Sequence, residues 1–172
     1  MNAIMENLLT RRSVRAFEKK ELPADVLEQI LQAAIYAPSG MGRQTWQFTV
    51  VKDREKIQKL AAAVEKELGR EGYDMHSPQV IIIPSNEKDS RFGVDDNACA
   101  LENIFLAAHS FGIGSVWINQ LRDICDTDSV RSLLKEWGVP DSHTVYGLAA
   151  LGYPAPAPEK EVHKIGTFVM VD

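Results

Sequence analysis

Cysteine is scarce in this chain. Cys99 and Cys125 are the only two among 172 residues, too few for a disulfide framework, and they read as reduced thiols. Long apolar runs are missing as well. A membrane helix needs ~20 consecutive apolar residues. The longest candidates here, such as residues 80–84, are strand-sized. The opening Met1-Asn2-Ala3-Ile4-Met5-Glu6 has neither a basic stretch nor an apolar segment behind it. No signal peptide is therefore expected, and the cytoplasm is the expected location. Histidine is limited to His76, His109, His143 and His163. None stands at metal-ligand spacing, and neither His-Glu-x-x-His nor Cys-x-x-Cys occurs, so no metal is expected. No Gly-x-Ser-x-Gly elbow is present. Positive charge is not in excess either: the net charge is −5, which argues against a nucleic-acid role.

What is present suits one domain with a real core. Hydrophobic residues make up 45% of the chain and charged residues 25%, the balance of an ordinary globule. Apolar spacing predicts a short helix over residues 2–10, with Ile4, Leu8 and Leu9 toward the core. A second helix starts near Pro23 and carries Val26, Leu27, Ile30, Leu31, Ala34 and Ile35 at intervals of three and four; Pro38 ends it. Trp46, Phe48 and Val50 alternate with polar residues, as in a strand. Ile57, Leu60, Ala61, Val64 and Leu68 form another helical stripe, followed by an irregular loop over residues 69–78. Val80-Ile81-Ile82-Ile83 reads as a strand buried on both faces. A long helix is predicted over residues 94–111, a strand over 115–118, and a helix around Val130, Leu133, Leu134 and Trp137. Thr127 or Asp128 would cap that helix, with Gly138 and Pro140 closing it. Residues 145–151 read as a further strand.

The fold class is thus α/β (α+β): a mixed central sheet of four to five strands flanked by helices. Tyr153-Pro154-Ala155-Pro156-Ala157-Pro158 forms a stiff strap. Residues 166–171 beyond it read as one more strand, which is expected to leave its own subunit and join a partner's sheet.

Two segments carry the chemistry. Arg11-Arg12-Ser13-Val14-Arg15 places three guanidiniums and a hydroxyl within five residues, an anion clamp suited to phosphate oxygens. Ala37-Pro38-Ser39-Gly40-Met41-Gly42-Arg43-Gln44-Thr45-Trp46 leaves a helix through small residues that let the backbone meet a flat polar ring. Phosphate at one end and a planar heterocycle at the other describe a mononucleotide, and flavin mononucleotide (FMN) fits. Gly112-Ile113-Gly114 is not a dinucleotide motif, because a helix precedes it and a strand follows. Ser39 has no base paired with it in the sequence and reads as a hydrogen-bonding residue. Cys125 lies between Asp123 and Asp126, whose charges disfavour a thiolate. Trp137 reads as core, whereas Trp117 falls where its strand reaches the cofactor edge.

These segments resemble the nitroreductase family. Leu151-Gly152-Tyr153-Pro154-Ala155, the helix containing Asn103, and Gly112-Ile113-Gly114-Ser115-Val116-Trp117-Ile118 add to the likeness, which spans nearly the whole chain in its short form. The resemblance implies a homodimer of single FMN-binding domains over residues 1–172, with FMN at the interface. Arg11 and Ser13 would hold the phosphate and ribityl chain, with Arg12 nearby. Arg15 would face the pyrimidine edge near N1 and favour the reduced, anionic ring. Pro38, Ser39 and Gly40 would come from the other subunit, and Gln44 would lie near the ribityl chain or ring. Ile118, Asn119 and Gln120 would pass the N5–O4 edge. The family usually has Asn at Gly42, Pro at Thr45, and a Gly- or Glu-containing pair at Asn119-Gln120. Where it commonly carries Lys-x-Arg, this chain reads Glu161-Val162-His163, so Lys160 and Lys164 would supply the charge.

The implied activity is hydride transfer from NADH or NADPH through flavin N5 to a small electrophile such as a nitroaromatic or quinone, in a ping-pong cycle. No side chain is assigned as acid or base. The alternatives are a non-enzymatic flavin-storage or electron-carrier protein, and an enzyme specialised for one metabolite.

Overall fold

The computed structural model describes residues 1–156 and 163–171. Among the described residues five α-helices and five strands follow in the order α1 (Ala3–Thr10), α2 (Ala24–Ile35), β1 (Trp46–Val51), α3 (Arg54–Leu68), β2 (Val80–Glu87), α4 (Gly93–Ser110), β3 (Gly114–Ile118), α5 (Asp128–Glu136), β4 (His143–Thr144) and β5 (Leu148–Gly152). The sheet order is β1-β2-β5-β3, and β4 pairs with the far end of β2. All the strand pairs are antiparallel. The parallel component is a single bridge, Ser13 to Ser115.

Side chains alternate across a strand, and β2 uses this to serve two cores. Ile81 and Ile83 join Ile57, Leu60, Val64, Val130 and Leu134 beneath α3 and α5. Val80 and Ile82 join Leu27, Ile30, Leu101, Ile104 and Phe105 beneath α2 and α4. Helices on both faces explain why this antiparallel strand reads as a continuous apolar run.

Two expectations are corrected. Ile4, Leu8 and Leu9 do not enter the core: Ile4 is 73% and Leu9 55% exposed, and α1 buries no residue. The helix is tied down instead by polar contacts, including Asn7 Nδ2 donating to the Leu106 carbonyl at 2.9 Å. Residues 166–171 form no strand in the single chain, where Phe168 is 87% exposed. The strand expected over residues 145–151 begins only at Leu148, as β5; residues 145–147 lie outside any strand and separate it from β4. Just before β5 stands Gly147, where a Cβ would overlap Trp117 Nε1. The indole therefore faces bare backbone there.

Capping also differs in detail. Thr127 occupies the N-cap of α5, but its hydroxyl donates back to the Ile124 carbonyl at 2.9 Å and caps nothing in the helix. The strap begins in an ordered way: Phe17 bridges Pro154, Glu18 N–H donates to the Tyr153 carbonyl, and Ala155 N–H donates to the Ala16 carbonyl, both at 2.9 Å. No helix among the described residues is long and apolar enough to cross a membrane.

Candidate functional site

The arginine segment leaves α1 and runs along the free edge of β3. Val14 N–H donates to the Ser115 carbonyl at 2.9 Å. Gly114 allows this approach, since a Cβ there would lie 2.8 Å from the Val14 side chain. The bridge is parallel, so Arg15 falls beside Trp117 and next to the end of β3. The three guanidiniums have separate fates. Arg11 Nε lies 3.8 Å from Glu102 Oε1, a loose ion pair. Arg12 Nη1 donates to the Leu9 and Arg11 carbonyls at 2.7 and 2.9 Å, closing the end of α1. Arg15 makes no hydrogen bond or ion pair among the described residues; its charge, after burial, helps hold His76 below the ordinary histidine value. Thr10 Oγ1 meets His109 Nε2 at 2.8 Å. Burial, then Arg11 and Arg12, hold His109 below its ordinary value as well.

The loop after α2 is fastened to the other end of α4. Gly40 N–H donates to Asp96 Oδ1 at 2.7 Å, and Asp96 is only 3% exposed. A Cβ at Gly40 would overlap the Phe92 ring, so any other residue there requires the ring or the loop to shift. Ser39 Oγ accepts from Gln44 N–H at 3.2 Å, which gives Ser39 the hydrogen-bonding part expected of it. Thr45, where the family usually has proline, donates its hydroxyl to Asn86 Oδ1 at 2.6 Å. Beside the loop, Leu31, Ile35, Gln44, Trp46, Phe48 and Val50 line a groove of about 400 Å³. β1 forms one wall, and its outer edge has no neighbouring strand among the described residues.

At the end of β3, Ile118 is buried and Asn119 exposed. Gln120 is half-buried, and its Oε1 is enclosed without a partner. Trp117 is 39% exposed and tilts against Phe105 with ring centroids 6.3 Å apart. Lys164 lies in the exposed segment 163–171, while Lys160, Glu161 and Val162 fall outside the described residues. Cys125 is buried with Sγ 3.4 Å from Thr144 Oγ1, and both cysteines are free. No group of three metal-ligating side chains occurs among the described residues.

The Ser13–Ser115 bridge thus sets the arginine segment alongside β3, the strand that leads into Ile118, Asn119 and Gln120. The structure does not bring Pro38, Ser39 and Gly40 to Arg11. Arg11 meets α4 at Glu102, and Gly40 meets it at Asp96, near its first turn. Asp96, Glu102, His76 and His109 were not apparent from residue spacing. Asp96 did leave a trace: it is an acid four residues before Ala100 on the buried stripe of α4, and a polar residue on such a stripe needs a partner.

A family model, the nitroreductase family, matches residues 8–153. The chain belongs to the nitroreductase family. Its antiparallel sheet with helices on both faces is the nitroreductase fold. A nitroreductase with bound FMN from Bacteroides fragilis NCTC 9343 is 42% identical and superposes with a TM-score of 0.93 over 100% of both chains. An FMN-dependent nitroreductase from Clostridium difficile R20291 is 30% identical, with a TM-score of 0.78 over 93% of this chain and 91% of that one. The NADPH-flavin oxidoreductase of Vibrio harveyi is 28% identical over 174 residues, covering 92% of this chain and 69% of that protein.

Proposed function

We propose that this chain is a cytoplasmic, homodimeric, FMN-dependent oxidoreductase, with one FMN-binding domain per chain. The observation that carries this reading is the arginine segment, joined to the edge of β3 by the Ser13–Ser115 bridge, with Arg15 making no hydrogen bond or ion pair among the described residues. Gln120 Oε1, a buried acceptor lacking a donor, suits a ring N–H. Those two features fit the polar edge of a flavin. When bound, FMN supplies hydride transfer at N5, accepting from NADH or NADPH and donating to a small electrophile in alternation.

The residues of the chain bind and orient. Arg11 and Ser13 hold the phosphate and ribityl chain, and Arg12 shapes their backbone by closing α1. Arg15 places positive charge at the pyrimidine edge, while Ile118, Asn119 and Gln120 line the neighbouring edge. Lys160 and Lys164 add positive charge toward the phosphate. Pro38, Ser39, Gly40 and Gln44 act from a second copy of the chain, since the loop and the clamp meet different stretches of α4. The exposed apolar side chains of α1 and of residues 165–171 support that second copy. So does the open edge of β1, where an extended segment of the partner adds a strand. The purified protein with FMN should oxidise NADH or NADPH in the presence of a nitroaromatic or quinone. FMN-loaded protein that oxidises neither would leave a flavin carrier and refute the enzymatic reading.

A further inference from the structure

We propose that His109 is a positioning residue of the Arg11 clamp, and that a phosphate-bearing ligand seated there draws a proton onto its imidazole. The inference rests on the FMN reading above and concerns how that site responds to pH.

The geometry begins with Thr10. Its hydroxyl donates to the Glu6 carbonyl at 2.7 Å, so its hydrogen is committed. The 2.8 Å contact between Thr10 Oγ1 and His109 Nε2 must then be an N–H donating to the hydroxyl oxygen. In the neutral ring this leaves Nδ1 as the unprotonated nitrogen. The ring can therefore gain a proton at Nδ1 without losing Thr10. Together with Asn7 donating to Leu106, this bond fixes the end of α1 on α4 at the residue where the arginine segment starts.

The charges around His109 set its response. From the segment after α1, Arg11 and Arg12 repel a charged imidazole, and burial opposes it further. From α4 itself, Glu102 is occupied with Arg11, while the position of His109 in the last helical turn favours a cation. A phosphate on Arg11 would offset the repulsion from both guanidiniums. The bound state would then hold a proton that the free state lacks, so affinity rises as pH falls.

The test compares FMN and riboflavin binding by fluorescence quenching in the wild type and in His109→Gln. Gln keeps an N–H for Thr10 and cannot charge. The ratio of wild-type to variant FMN affinity should grow severalfold from about pH 8 to about pH 5.5, toward the roughly tenfold limit that a one-unit change in one histidine sets. The second ionisation of the free FMN phosphate is common to both proteins and cancels from the ratio. Riboflavin, lacking phosphate, should give a flat ratio. Independently of the variant, NMR of the wild-type imidazole should show its titration midpoint rising on addition of FMN and staying put with riboflavin. A flat FMN ratio, an equal slope for riboflavin, or an unmoved midpoint would overturn the proposal while leaving FMN binding intact. Failure of the wild type to bind FMN at any pH would overturn the cofactor reading, and this proposal with it.

Discussion

Replacing Phe168 by Ala separates a tail that dangles from one that docks. In the single chain Phe168 is 87% exposed, so its truncation should leave an isolated chain unharmed. In a dimer whose extended tails lie on their partners, the same ring is buried twice. Burying one such side chain is worth about 1.5–3 kcal/mol. Two copies therefore contribute about 3–6 kcal/mol to association, which is roughly a hundredfold to ten-thousandfold in the dimer dissociation constant. Ile165, Val169, Met170 and Val171 are exposed as well and share the docking face. Sedimentation over a range of concentrations measures the constant directly, and thermal melts at two concentrations check it, because Tm of a dissociating dimer depends on concentration. An unchanged dissociation constant and an unchanged Tm would refute the docked tail and return residues 165–171 to solvent.

Three further outcomes follow from the site. Arg11→Ala should weaken FMN binding by about 1.5–3 kcal/mol, the range for a hydrogen bond to a charged group, and leave riboflavin binding nearly unchanged; equal losses for both ligands would make Arg11 structural. Arg15→Ala should lower the midpoint potential of bound FMN by about 30 mV or more, the equivalent of about 1.4 kcal/mol in a two-electron couple, as read by spectroelectrochemistry; an unshifted midpoint removes its electrostatic role. Asp96→Ala strands the Gly40 N–H that the carboxylate now accepts at 2.7 Å, and should cost about 1.5–3 kcal/mol in thermal or denaturant unfolding. A melt superimposable on the wild type would show that the loop does not depend on that bond.

The sequence exposes most of the elements because their apolar spacing matches the two cores. Val80-Ile81-Ile82-Ile83 is buried on both faces, and α2 and α4 bury most of the stripes their periodicity marks, although Ile35 at the end of α2 is exposed. Periodicity reports that a face is apolar and is silent on what covers it. That is why the stripe of Ile4, Leu8 and Leu9, read as core, is exposed in the single chain. The late start of β5 falls beside Gly147, whose bare backbone faces the Trp117 indole, a contact between segments thirty residues apart that local pattern does not encode. The candidate site divides in the same way. The run of arginines is visible, but their different surroundings are not: Arg12 closes α1 while Arg15 stays unpaired, and only the Ser13–Ser115 bridge decides it. His109 and Asp96 act through partners 99 and 56 residues away in sequence. Spacing rules for metals, applied to the histidines, look in the wrong place for such pairs.

The central claim is tested most directly by the visible spectrum of the purified protein under anaerobic titration. The account predicts flavin absorbance, intrinsic or restored by added FMN, that bleaches on addition of about one equivalent of NADH or NADPH and returns with a nitroaromatic or quinone. A colourless protein that leaves FMN fluorescence unquenched would contradict it.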